Sequence, residues 1–238
     1  MEERLSIELD GTEVDYRVRR SLRARRVRVI MSVTEGLVVV VPHRMRIPTP
    51  PPILIQEREW VLRQWNRWGA RVRRERGLLL PGDLVPVDGR PRTVLYGPQG
   101  SARPLVTVDD RSLWLRPQPA SPREAFRVVC AWLRDTARCR FLAAIDDLDP
   151  EGRFRFSRIT VRDQRTRWGS CSSRGVLSLN WRLIMAPPDV LRYVVAHELA
   201  HTRELRHSAR FWAIVEEVCP DAQSHRRWLG DHGHELRL

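Results

Sequence analysis

Residues 194–201 read Val-Val-Ala-His-Glu-Leu-Ala-His, and this apolar stretch constrains the chain more than any other feature. His197 and His201 are four apart, which on a helix separates them by about 40° of rotation, so both rings can turn toward one ion. Leu191, Val194, Val195 and Leu199 give the same segment a buried face at helical spacing. Pro187 and Pro188 suit a helix start, and Asp189 suits its positive end. Glu198 lies between the two histidines on this helix. The pattern HExxH therefore predicts a metal site with an acid/base carboxylate beside it. His234 opens no second copy, because the residue four positions on is Leu238 rather than a histidine.

Catalytic zinc usually takes three protein ligands and leaves a fourth position for water. His207 is the expected third ligand. Residues 202–206 let the chain leave the helix and turn back, and Ser208 reads as the N-cap of a second helix with Phe211, Trp212, Val215 and Val218 as its apolar stripe. Glu216 and Glu217 on that helix are the rival third ligands. Zinc lowers the pKa of a bound water from 15.7 to roughly 7. The expected chemistry is attack of that water on a peptide carbonyl, with Glu198 as general base and proton carrier to the leaving group. Arginines, Tyr193, His225 and His232 are all candidates for stabilising the oxyanion.

The formal charge is +13, which raises the question of a polyanionic partner. All 42 basic residues are arginine, however, a pattern that fits coding bias as well as selection for a binding face. Nucleic acid is thus a possible partner but not the favoured one. The four cysteines form no CxxC pair; Cys130 and Cys139 fall on opposite faces of any helix that holds them. The start of the chain has no signal-peptide core, and the longest apolar run, 37–41, is strand-length. These features predict a cytoplasmic protein with no membrane contact.

Residues 5–9 and 14–18 read as strands around the turn at Asp10 and Gly11, followed by strands at 27–31 and 37–41. Arginines 17, 19, 20, 23, 25, 26 and 28 fall on this region, as a basic or simply solvated sheet face. Prolines at 48–52 mark a loop, and an amphipathic helix is expected over 53–74. A strand pair at 81–96 turns at Asp88 and Gly89, and 113–115 forms another strand. Residues 117–122 are proline-rich, so the expected domains are a β-rich region with one long helix, 1–117, and a metal-hydrolase domain, 118–238. Ser121, Pro122 and Glu124 form a capping box opening a helix to about residue 142. Residues 159–161 open a small antiparallel sheet, with a hairpin of 167–171 and 176–180 turning at 172–175. The sequence shows no internal repeat.

The hairpin directly precedes the metal helix. Its edge could pair with an extended substrate, which makes Arg167, Trp168, Gly169, Ser170 and Asn180 candidate substrate-binding residues. Tight packing of Trp168 and Trp181 under the helix is the structural alternative.

The ordered run of motifs, from Arg165 to Ser172, Leu179 to Leu183, Tyr193 to His201, His207-Ser208 and Phe211-Trp212, resembles the YgjP-like metallopeptidases, a bacterial and archaeal group related to the SprT-like zincins. Residues 16–21 and 59–61 extend the resemblance into the N-terminal half. It implies an α+β fold, with a compact zincin-like catalytic domain behind a β-rich N-terminal region. It also implies one Zn2+ per chain on His197, His201 and His207, with Glu198 as acid/base. The substrate expected is a peptide or protein. The alternatives are a small phosphorylated molecule, such as a nucleotide phosphoanhydride, and a nucleic-acid-associated role for the zinc site.

Overall fold

In a computed structural model, the structure describes residues 4–32, 35–46, 51–75, 77–236 and 238. The chain divides into two compact units, 1–76 and 77–238.

In the first unit, β1 (Arg4–Leu9) and β2 (Thr12–Ser21) form a hairpin, β4 (Gly36–Pro42) lies parallel to β2, and β3 (Arg28–Ser32) pairs antiparallel with β4. Asp10 and Gly11 both have positive φ, as a two-residue hairpin turn requires. Leu37, Val39 and Val41 of β4 share a core with Val14, Tyr16 and Val61. Two helices follow, α1 (Pro52–Gln56) and α2 (Arg58–Glu75), so the long helix expected over 53–74 is broken at residue 57. Of the expected proline loop, 48–50 lie outside the described residues.

The second unit opens with a sheet of the same topology. β5 (Leu84–Val87) and β6 (Arg90–Tyr96) form a hairpin, β8 (Ser112–Arg116) runs parallel to β6, and β7 (Leu105–Val108) pairs with β8. It too turns on an Asp-Gly pair with positive φ, Asp88 and Gly89. The repetition lies in strand order and pairing, not in residue identity, and is invisible to a search for sequence repeats.

The division at 76/77 replaces the expected boundary at 117/118. Val85, Val94, Leu113 and Leu115 share one core with Val129 and Leu133 of α3 (Pro122–Leu148) and with the later helices. The prolines at 117–122 serve the start of α3 rather than a linker. Ser121 Oγ accepts from the Glu124 amide at 3.1 Å, and Glu124 Oε2 accepts from the Ala120 amide at 2.6 Å. Cys130 is buried and Cys139 exposed on this helix.

The third sheet carries the expected hairpin, β10 (Gly169–Cys171) with β11 (Val176–Asn180), closed by a turn at 172–175. It is mixed rather than antiparallel, because β9 (Arg158–Arg162) pairs parallel with β11. β10 is therefore an edge strand. A 3-10 turn (Trp181–Met185) leads into α4 (Pro188–Ala200), followed by α5 (Ala209–Val218) and α6 (Ala222–His232). The β5–β6 turn seats against the start of α4. A Cβ at Gly89 would lie 2.9 Å from the Pro187 Cα, the Asp88 amide donates to the Ile184 carbonyl at 2.8 Å, and Arg140 pairs with Asp88 at 2.9 Å. No helix among the described residues is long and apolar enough to cross a membrane.

Candidate metal centre

α4 is buried on nearly every side, through Val190, Leu191, Tyr193, Val194, Val195, Ala196, Leu199 and Ala200, more widely than the face of Leu191, Val194, Val195 and Leu199 that its apolar spacing predicts. His197 and His201 emerge from its last turn, and His201 caps it. The chain reverses through hydrogen bonds from Thr202 to Leu199 and from Glu204 to Ala200. Ser208 then caps α5, its Oγ accepting from the Phe211 amide at 3.3 Å. This reversal brings His207 back over α4.

The three histidines form the metal-competent group, with one ring nitrogen from each within 4.8 Å of the others. Nε2 of His207 and of His197 are 3.1 Å apart. Two imidazole nitrogens sharing one tetrahedral zinc, at Zn–N distances of 2.0–2.1 Å, sit about 3.3 Å apart, so this pair fits such an ion, with the third ring close by. His201 Nδ1 lies 3.1 Å from the Glu204 carbonyl; as a donor there, it leaves Nε2 as the free lone pair. Glu216 and Glu217 do not join the group, and Glu217 instead pairs with Arg153.

The electrostatics favour a neutral, ligating histidine. Burial, then the charges of His201, His207 and Arg226, lower the His197 pKa to about 3, and burial lowers that of His201. Phe211, fully buried, forms a floor beneath the rings, with centroids 4.8, 4.5 and 4.8 Å from those of His197, His201 and His207. Its apolar spacing marked it only as core. Arg226, stacked on Trp212 at 5.0 Å, comes from α6, a helix the sequence reading did not delineate.

Glu198 is 4% exposed, and its Oε2 has no hydrogen-bond partner in the protein. Burial raises its pKa to about 8, opposed by the Arg167 charge. Room for this carboxylate comes from β10. A Cβ on Gly169 would lie 2.7 Å from the Glu198 Cγ and 2.8 Å from its Cδ.

The remaining substrate-binding candidates separate. Gly169 packs against Glu198 and the Arg167 charge reaches it, while Trp168 packs on the C-terminal turn at Gly233. Ser170 projects from the opposite face of β10 to Gly169. Asn180 is 1% exposed, its side chain taken up by hydrogen bonds within the chain. Its Nδ2 donates to the Gln164 and Arg167 carbonyls at 2.7 and 3.2 Å, its amide to the Trp168 carbonyl at 2.9 Å, and its Oδ1 accepts from the Arg182 amide. Asn180 is the tie that holds 164–168 in place.

The family model described as YgjP-like, metallopeptidase domain, matches residues 25–232. Among solved structures, the chain is similar to the crystal structure of the metallopeptidase zymogen of Pyrococcus abyssi abylysin. That match has 24% identity over 40% of this chain and 93% of that one, with a TM-score of 0.33. No curated protein matches the chain.

Proposed function

This chain belongs to the YgjP-like metallopeptidase family, and we propose that it is a zinc-dependent peptidase in which His197, His201 and His207 hold the metal and Glu198 carries the proton. The observation that supports this reading best is the convergence of three imidazoles beside a buried carboxyl with an unpartnered oxygen. A divalent metal held by these three histidines would supply Lewis acidity toward a carbonyl oxygen and a water.

The chain's own residues do the rest. His201 is oriented through its Nδ1 by the Glu204 carbonyl, and Phe211 keeps water from beneath the three rings. Glu198 Oε2, short of partners in the free protein, accepts a proton from the attacking water and returns it to the departing amine nitrogen. Arg167, the counter-charge to Glu198, favours the ionised carboxylate needed for the first of these transfers. The unpaired edge of β10 accepts an extended peptide as a further strand, laying a carbonyl across the site.

The test is a side-by-side hydrolysis screen of unfolded proteins, peptide libraries and nucleotides, wild type against Glu198→Gln. Peptide-bond cleavage by the wild type, lost in a variant that retains its metal, is expected. Cleavage confined to nucleotides, or an unimpaired variant, contradicts the reading.

A further inference from the structure

The first unit carries a feature that metal chemistry does not use. β2 runs parallel to β4 with Ser21 opposite Pro42, and β3 runs antiparallel to β4 with Arg28 opposite Val40. The end of β2, the start of β3 and the end of β4 therefore lie at one end of the sheet. The segments 21–28 and 43–46 meet there. The His43 amide donates to the Ser21 carbonyl at 3.1 Å, and Arg20 Nη1 donates to the His43 and Met45 carbonyls at 3.1 and 2.8 Å. Arg20 thus acts as a brace between the two segments.

Six further arginines stand on this tip: Arg23, Arg25, Arg26, Arg28, Arg44 and Arg46, all exposed. Among the described residues none of them forms an ion pair, whereas Arg19, Arg58 and Arg63 of the same unit each have a carboxylate partner. The sequence holds no Asp or Glu over 16–34 or 36–56. The same tip exposes two large apolar side chains, Leu22 at 86% and Met45 at 44%. It has no Phe, Tyr or Trp.

The combination discriminates between partners. A nucleic acid would take the guanidinium groups, but the tip offers no aromatic platform on which bases could stack. The interface of an anionic bilayer takes both these groups and the apolar pair, with apolar side chains entering the acyl boundary and arginines at the depth of the phosphates. We propose that this two-loop tip is a peripheral docking site for an anionic lipid surface. Such docking needs no spanning segment, so the lack, among the described residues, of a helix long and apolar enough to cross a membrane does not bear on it; it revises the expectation of no membrane contact, which rested on spanning segments.

The experiment is co-sedimentation of the full chain with phosphatidylcholine vesicles, with and without phosphatidylglycerol. Fluorescent duplex DNA and single-stranded RNA oligonucleotides are titrated in parallel. Binding to the anionic vesicles alone is expected. Each arginine at such a surface is worth roughly five-fold in partitioning, about 1 kcal/mol, so Arg25→Ser with Arg26→Ser lowers it about 30-fold. Leu22→Ser with Met45→Ser lowers it about ten-fold or more at unchanged charge. All four side chains are exposed, so melting temperatures should match wild type; Arg44→Ser with Arg46→Ser on the second loop repeats the charge test if the first pair fails to fold. No binding to anionic vesicles overturns the proposal. So does vesicle binding indifferent to Leu22 and Met45, or binding to the oligonucleotides in preference to lipid.

Discussion

Gly169→Ala tests the relation between the edge strand and the acid/base carboxylate without touching a metal ligand. The added methyl would sit 2.7 Å from the Glu198 Cγ and 2.8 Å from its Cδ. Ordinary carbon–carbon contact begins near 3.5 Å, so one side must give by about 0.7–0.8 Å. β10 is tied to β11 by its hairpin register and through Asn180, while Glu198 is one side chain with rotatable bonds. Glu198 therefore moves. A displacement near 1 Å at a reacting group costs on the order of 10²-fold in rate. The assay is steady-state hydrolysis of the substrate found by the screen, with metal content and melting temperature measured on the same samples. The expected result is a kcat reduced about 100-fold, with one metal per chain retained and KM changed little. A variant with wild-type kcat would refute the argument that the missing side chain positions Glu198. Loss of metal would refute the assignment of the clash to Glu198 alone.

Two further predictions follow from the same geometry. Asn180→Ala removes two side-chain N–H donors and one acceptor from a site 1% exposed, leaving the Gln164 and Arg167 carbonyls and the Arg182 amide without these partners. A stability loss of about 2–4 kcal/mol is expected in chemical denaturation, and a loss under about 0.5 kcal/mol would deny Asn180 its tie. The metal-free protein should show a characteristic pH profile. Glu198, raised from 4.5 to about 8, holds its proton more tightly folded than unfolded, so its contribution falls as pH rises between those values. His197, lowered from 6.5 to about 3, does the reverse, and its contribution falls as pH drops through that window. The two trends oppose one another between about 4.5 and 6.5. Metal-free wild type should therefore lose melting temperature relative to Glu198→Gln as pH rises from about 6.5 to about 8, and a constant difference there would contradict the burial of that carboxyl.

The metal helix was legible because its information is local. The i, i+4 histidines, the apolar face of α4 and the Ser208 cap are all set within a few turns. The capping box of α3 and the 172–175 turn are legible for the same reason. What escaped lies in space rather than along the chain. The proline punctuation at 117–122 is real, but a cap and a linker look alike until Leu113 and Leu115 are seen in one core with Val129. The parallel pairing of β9 with β11 joins strands separated by the whole hairpin segment. Asn180 reads as a polar residue on the hairpin edge, and only its four hydrogen bonds show it turned inward. Gly169 matters through a volume it leaves empty, for which no sequence pattern exists.

His197, His201 and His207 are proposed to hold one ion together. Cobalt(II) substitution tests it most directly, because the visible spectrum reports coordination number and the titration reports stoichiometry. One equivalent of cobalt per chain is expected, with the intense absorption of a four-coordinate site, and loss of that signal in His207→Ala with the fold intact. Full retention of the spectrum in His207→Ala, or no stoichiometric binding by the wild type, would contradict it.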